Sequence, residues 1–423
     1  MINQLKKALY FPLANYFKFF AKIRLARWNP RVIVVTGSSG KTTLLHLIES
    51  QLGPKARYSH HANSAYGIPF NILGLKRESL EFMEWPYLFL MAPVSVFKKL
   101  PLEKFYVVEA DCDRPEEGKF LASLLNPEIC LWLSVSKTHS MNFEKLVENK
   151  KFQSVGQAIA NEFGYFLEYT SNFSIVNGDS KLIEKQLCRA KSKVLKIKKE
   201  GSLENYEISL GKTEFKISGQ TFRFKVMLPE ETFYAIAMCS LLLKNLDIKF
   251  DEGFSRFILP PGRSSYFKGK KNTLLIDSTY NANLSSVTAI LNMFDKIKVK
   301  NKWVVLGDML EQGGQEKEEH EKLAQLISPL NLDRVILMGP RVSSYTYPKL
   351  TMLRRKVIVE KFTTPREVLD YLEQNISGGE ALLFKGARFL EGVIEHLLEN
   401  SGDVKNLSRR EAILQARRKQ WDL

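Results

Sequence analysis

Apolar positions along this chain change their period several times, and each change marks an element. In residues 1–30, Leu5, Leu9, Leu13, Phe17 and Phe20 recur at helical spacing, while Asn15, Lys18 and Lys22 lie on another face. That pattern predicts an amphipathic helix with a kink at Pro12. Residues 31–35 (RVIVV) form a continuous apolar run, the signature of a buried strand. A Gly-rich turn follows, then a helix carrying Leu44, Leu47 and Ile48 on one side. Further strands are predicted at 105–109, 129–134 and 173–176, with helical stretches between them. Strands alternating with helices imply a mostly parallel sheet covered on both faces. Residues 205–227 alternate differently (YEISL, TEFKIS, TFRFKVML) and predict a small β-meander, followed by a helix over 231–246. After the linker-like LPPGR stretch at 259–263, the alternation resumes with TLLID, KWVVLGDM, RVILMG and ALLFKG. This predicts a second, Rossmann-like α/β domain. The expected organisation is therefore a helix over 1–30, a central domain over 31–255, a C-terminal domain over 256–400 and a tail over 401–423.

Composition narrows the class without naming it. The 423 residues are 44% hydrophobic and 26% charged, ordinary for a soluble globular protein. Four cysteines with no CxxC pair imply neither a zinc framework nor disulfide staples, which points to a reducing, cytoplasmic setting. The net charge of +16 favours anionic partners. Seven of the basic residues fall in positions 1–31, which contain no acid. The N-terminal helix therefore has two readings: a membrane-surface helix making peripheral contact with anionic lipid, or a helix packed on the protein itself. No run reaches membrane-spanning length, and no signal-peptide pattern precedes the first strand. The chain shows no stacking-aromatic or recognition-helix motif, so nucleic acid is not expected as a partner.

The chemistry is concentrated in residues 36–43, TGSSGKTT, between a strand and a helix. Gly37 and Gly40 let backbone N–H groups approach phosphate oxygens, and the helix N-terminus adds positive potential. Ser38, Ser39 and Thr43 complete the loop, Lys41 can reach the β- and γ-phosphates, and the Thr42 hydroxyl can ligate Mg²⁺. The expected ligands are ATP and Mg²⁺.

This loop resembles the TGxxGKT[TS] loop of the Mur ligases, and further motifs resemble that family in the same order. They are the segment NSAYGIP from Asn63, VVE ending at Glu109, the stretch ending at His139, VNGD at 176–179, PGR ending at Arg263, DSTYNAN at 277–283, VLGDMLE at 305–311 with His320, and LFKGAR at 383–388. The last four are those of the branch that adds D-alanyl-D-alanine to a muramoyl-tripeptide. The resemblance implies an ATP-dependent carboxylate–amine ligase acting through an acyl phosphate, with a cell-wall peptide precursor and an amino acid or dipeptide as substrates. It implies metal contacts from Glu109 and His139, phosphate or acyl-phosphate contact from Arg263, and ribose contact from Asp277. Asn63, Asn281, Asn283, Asp308 and Lys385 are implied as substrate contacts, with Asp308 equally readable as a strand-end cap. It also implies domain closure that excludes water from a hydrolysable intermediate.

The sequence departs from the family pattern in three places. About 35 residues stand where a UDP-sugar-binding domain usually precedes the loop. Asn161 aligns with the carbamylated lysine, and an amide cannot replace an anionic carbamate. The adenine-contacting HNxxNA segment aligns with residues 230–235, both asparagines are missing, and Tyr234 or Phe233 is left to stack on the base. His60 and His61 read as loop residues, since adjacent side chains point different ways. Two alternatives remain: a nucleotide-binding scaffold at the membrane surface, and a ligase making polyglutamate or a pseudomurein-like peptide.

Overall fold

The computed structural model describes residues 2–77, 83–353, 357–386, 389–411, 414–415 and 418–419, with side chains from Leu9 onward. It divides into two compact units. The first comprises residues 1–137, 142–202 and 234–257, and the second comprises 138–141, 203–233 and 258–423.

The first unit is built on a six-stranded sheet of order β2-β3-β1-β4-β5-β6. Its strands are β1 (Arg31–Thr36), β2 (Ala56–Tyr58), β3 (Phe105–Ala110), β4 (Ile129–Trp132), β5 (Phe173–Asn177) and β6 (Lys193–Ile197). Every pairing is parallel, with Thr36 in register with Ala110 and Trp132. The central strands are buried along almost their whole length, as their unbroken apolar runs require. The edge strands β2 and β6 escape prediction: one is only three residues long, and the other is half-exposed without a clean alternation.

Helix α1 (Ile2–Trp28) packs against α3 (Gly67–Leu73), α4 (Glu84–Phe97) and α5 (Glu117–Leu125). Its buried face is rotated from the predicted one. Tyr10, Ala14, Phe17, Ala21 and Leu25 join the core, whereas Leu9 is exposed. Phe17 stacks on Phe89 and meets Phe70 edge-on. Two cations of this helix are also in use. Lys18 donates to Ser123 Oγ at 2.6 Å and lies over the Phe120 ring. Arg24 is buried and donates to the carbonyls of Ser95, Lys98 and Lys99, which caps the C-terminal end of α4. The self-packed reading of α1 is the one observed.

The second unit contains a six-stranded sheet of order β10-β11-β15-β12-β13-β14. Its strands are β10 (Ser265–Gly269), β11 (Thr273–Asp277), β12 (Lys302–Gly307), β13 (Arg334–Met338), β14 (Ile358–Phe362) and β15 (Ala381–Lys385). Only β10 runs antiparallel. The meander of β7 (Leu203–Ser209), β8 (Lys212–Ile217) and β9 (Gln220–Phe224) precedes this sheet in sequence but belongs to the same unit. Met227 and Ile208 pack into the core of this unit, and Ser264 Oγ donates to the Met227 carbonyl at 2.6 Å.

The C-terminal segment is less solvated than its charge suggests. Arg409 pairs with Glu391, and Arg410 and Arg418 both pair with Glu395, at 2.7 and 2.6 Å. No helix among the described residues is long and apolar enough to cross a membrane.

Candidate active site

In the first unit, the loop joining β1 to α2 (Lys41–Leu52) begins at Gly37, whose φ of 126° is open to glycine. A Cβ there would lie 2.8 Å from the backbone of Ser134, so the loop can lie this close to the β4 extension only with glycine. Gly40, also left-handed, turns the chain into α2. Ser38 N donates to Ser134 O at 3.0 Å and Ser39 N to Ser134 Oγ at 2.9 Å, which anchors the loop's first half.

Lys41 is buried at the head of α2, where Nζ donates to Gly37 O at 2.6 Å and pairs with Asp111 at 2.7 Å. Burial alone would push its ammonium down, but Asp111, Glu109 and Asp113 outweigh that and hold it above its ordinary value. The Thr42 hydroxyl donates to Glu109 Oε1 at 3.2 Å. Asn63 stands at the same place, its carbonyl accepting from Asp111 N at 2.9 Å. The predicted Lys41, Thr42, Glu109 and Asn63 are thus brought together. Asp111 was missed. Its signal was the alternation of carboxylates at 109, 111 and 113, which puts three acids two residues apart at the end of β3.

The donor set fits the nucleotide and metal. A glycine-shaped cradle opens onto a helix N-terminus beside a retained cation, and a hydroxyl and a carboxylate stand together as hard oxygen ligands of the kind Mg²⁺ takes.

Other predicted residues of this unit have specific partners. Tyr234 donates to Asp179 Oδ2 at 2.6 Å, which ties it to the VNGD segment. Asn161 accepts from Arg189 Nη1 through both its carbonyl and its side-chain oxygen. His60, read as a loop residue, pairs with Glu49 at 3.0 Å, and His46 lies 3.5 Å from the same carboxylate. Phe233, in the second unit, is fully buried.

In the second unit, Asp277 ends β11 without solvent exposure. Thr279 donates to its Oδ1 from both the backbone and the hydroxyl, whereas Oδ2 has no hydrogen-bond partner among the described residues. Burial raises its pKa, against the bonds from Thr279 and the charges of Arg409 and Lys385. Lys385 Nζ, also buried, donates to the Asn281 carbonyl at 2.6 Å. Burial, then the neighbouring Arg263, pushes Lys385 down to about 7, and Asp277 opposes them. Arg263 lies 4.4 Å over the Tyr280 ring. Arg263, Asp277, Asn281 and Lys385 therefore form one group at the C-terminal ends of β11 and β15, where open α/β sheets bind ligands. Arg409 joins it, its Nη2 donating to Tyr280 O at 2.9 Å, and no motif had marked that residue.

Three predicted residues have structural work in the same unit. Asn283 and Ser286 form a capping box at the head of the helix Leu284–Lys296. Asp308 Oδ1 accepts from the backbone N–H groups of Arg341 and Val342, both at 3.0 Å. A Cβ on Gly339 would lie 2.6 Å from that carboxylate, so the turn passing it requires glycine. His139 is paired with Glu311 of the VLGDMLE motif. Of the LFKGAR motif, Ala387 and Arg388 lie outside the described residues.

An N-terminal α/β unit with this loop and a second α/β unit with a buried Asp–Lys pair beside a half-buried Arg define a two-domain nucleotide-dependent ligase class. The chain belongs to the Mur ligase family: the Mur ligase middle domain matches residues 35–241, and the Mur ligase glutamate ligase domain matches residues 262–388. Among its relatives is the UDP-N-acetylmuramoyl-tripeptide–D-alanyl-D-alanine ligase of Bacillus subtilis (strain 168). It is 24% identical over 391 residues, which cover 90% of this chain and 78% of that one. The fold is shared with the MurF ligase from Thermotoga maritima, solved in complex with ADP (TM-score 0.70, 22% identity, 96% of this chain and 84% of that one). It is shared also with MurF from Acinetobacter baumannii (TM-score 0.72, 19% identity, 92% and 80%).

Proposed function

We propose that this chain is an ATP-dependent, ADP-forming ligase that joins D-alanyl-D-alanine, or a similar amino acid or dipeptide, to the carboxylate of a cell-wall peptide precursor. The observation that carries this reading is the placement of Lys41, held by Gly37 and Asp111 at the head of α2, next to the Thr42–Glu109 pair. The names of the relatives supply the substrates. Consumption of ATP supports a cytoplasmic setting for the reaction.

In this reading the substrate carboxylate attacks the γ-phosphorus, ADP leaves, and the resulting acyl phosphate is attacked at its acyl carbon by the amine. Inorganic phosphate departs and the amine loses a proton. Both steps bring anions together, so the chain's own work is charge neutralisation and alignment. Lys41 faces the triphosphate. Thr42 and Glu109 would hold Mg²⁺, which supplies further neutralisation of phosphate oxygens when bound. Glu311 fixes the His139 tautomer through Nδ1, which makes Nε2 the lone-pair nitrogen for a metal. Asp277 Oδ2 accepts a ribose hydroxyl, and Tyr234 is the stacking candidate for the base. Arg263 steadies the acyl phosphate, and Lys385 with Asn281 receives the incoming amine substrate.

The test is ADP release by the purified chain with UDP-muramoyl-tripeptide and D-alanyl-D-alanine. Release that requires both substrates is expected. Binding of Mg-ATP with no ADP release across a panel of carboxylates and amines would overturn the proposal in favour of a scaffold.

A further inference from the structure

Helix α4 carries an apolar stripe that the ligase reading leaves unused. Counting its N-cap, Met83, Tyr87, Leu90, Val94 and Phe97 are 79, 60, 72, 50 and 80% exposed. Their spacing of four, three, four and three residues keeps them within an arc of about 80°. The opposite side of the helix, Leu88, Ala92, Ser95 and Val96, is buried. A soluble surface scatters such residues singly; five in one row are a docking face. Helix α1, packed alongside, adds the exposed Phe19 and Ile23.

The surroundings of the stripe are cationic. Arg27 lies 5.9 Å over the Phe97 ring, and the exposed Lys98 and Lys99 follow directly in sequence. Beyond them a cleft of about 810 Å³ opens, with the 87%-exposed Leu102 among its lining residues. Lys55, Arg57, Lys99 and Lys104 line it against one carboxylate, Glu103, while the buried Arg24 in its wall is already bonded to the carbonyls of Ser95, Lys98 and Lys99. The cleft lies at the N-terminal end of β3, since Phe105 is in register with Arg31, whereas the phosphate loop leaves β1 from its other end at Thr36.

We propose that this face of the first unit docks on an anionic phospholipid bilayer, with α4 lying in the interface plane. Its apolar row enters the acyl boundary, and the basic cleft and flanking lysines meet lipid phosphates. Charge complementarity selects this occupant. A second copy of the chain would bring the same cations against each other, whereas an anionic leaflet matches both the apolar row and its basic border. The docking helix is α4 rather than α1, because the apolar face of α1 is spent on the core. The phosphate loop, at the far end of the parallel strands, stays in water.

The test is flotation of the full-length chain with phosphatidylcholine vesicles, with and without phosphatidylglycerol, at low and high salt. Binding is expected only with the anionic vesicles, weakening as salt rises. Leu90→Asp with Phe97→Asp, and separately Lys98→Glu with Lys99→Glu, should each weaken it by about tenfold or more. Leu90→Ser with Phe97→Ser serves should the aspartates disturb folding, which the thermal midpoint reports. Equal binding to neutral vesicles, no binding to either kind, or unchanged binding by the variants would each overturn the proposal. So would gel filtration showing a dimer that the same substitutions dissociate, with no vesicle binding. ADP release from soluble substrates is read separately, so failure here leaves the ligase reading untouched.

Discussion

Lys41 illustrates how a buried charge is kept. Its ammonium is out of water, but a carbonyl and three nearby carboxylates make the charged form the stable one. Lys41→Met should therefore lower ADP release by roughly 10²–10³-fold, measured in a coupled assay, while the far-UV circular dichroism is unchanged. Lys385 is the opposite case. Its folded pKa of about 7 lies below its ordinary 10.5, so between those values the unfolded chain binds the extra proton and stability rises with pH. Below about 7 both states are protonated and the cost of burying the charge is present in full. Unfolding midpoints measured from pH 7 to 10 should climb for the natural chain and flatten for Lys385→Met. A natural chain with no such climb would show that Lys385 is charged as easily inside as out.

At the scale of elements, the central strands were legible because double burial demands unbroken apolar runs, as in 31–35 and 381–385. The edge strands β2, β6, β10 and β14 were not, because a half-exposed edge has little need of pattern. In α1 two apolar registers, one through Leu9 and one through Tyr10, satisfy the same period. Contacts with α3, α4 and α5 decide for the second, and a helical period cannot carry that information. The loop residues of the site were readable from spacing alone. Asp111 was legible too, in the alternation of acids after Glu109, but Arg409 was not, since it acts through a partner distant in sequence. Because α1 is core, Phe17→Ala should cost about 3–5 kcal/mol of stability, read by denaturant titration. A cost under about 1 kcal/mol would mean α1 is an appendage. For the same reason, deleting residues 2–28 should yield insoluble protein rather than a soluble enzyme lacking one helix.

At the scale of the molecule, each unit has its own core, one against β1, β3, β4 and β5 and the others on the two faces of the second sheet. Calorimetry should resolve more than one transition. A non-hydrolysable ATP analogue at about 100 times its Kd should raise the transition of the first unit by about 2.7 kcal/mol. Lys41→Met should abolish that shift, and a shift that survived the substitution would place the nucleotide elsewhere. The strand order of the second sheet has a consequence for how the protein is made. Its central strand, β15, is the last of the six in sequence, and it lies between β11 and β12. While the ribosome is still short of residue 381, the nascent chain holds β11 and β12 with open inner edges and nothing between them to pair with. Messages truncated in that stretch should give aggregates and draw chaperones, even though nine-tenths of the polypeptide is already there.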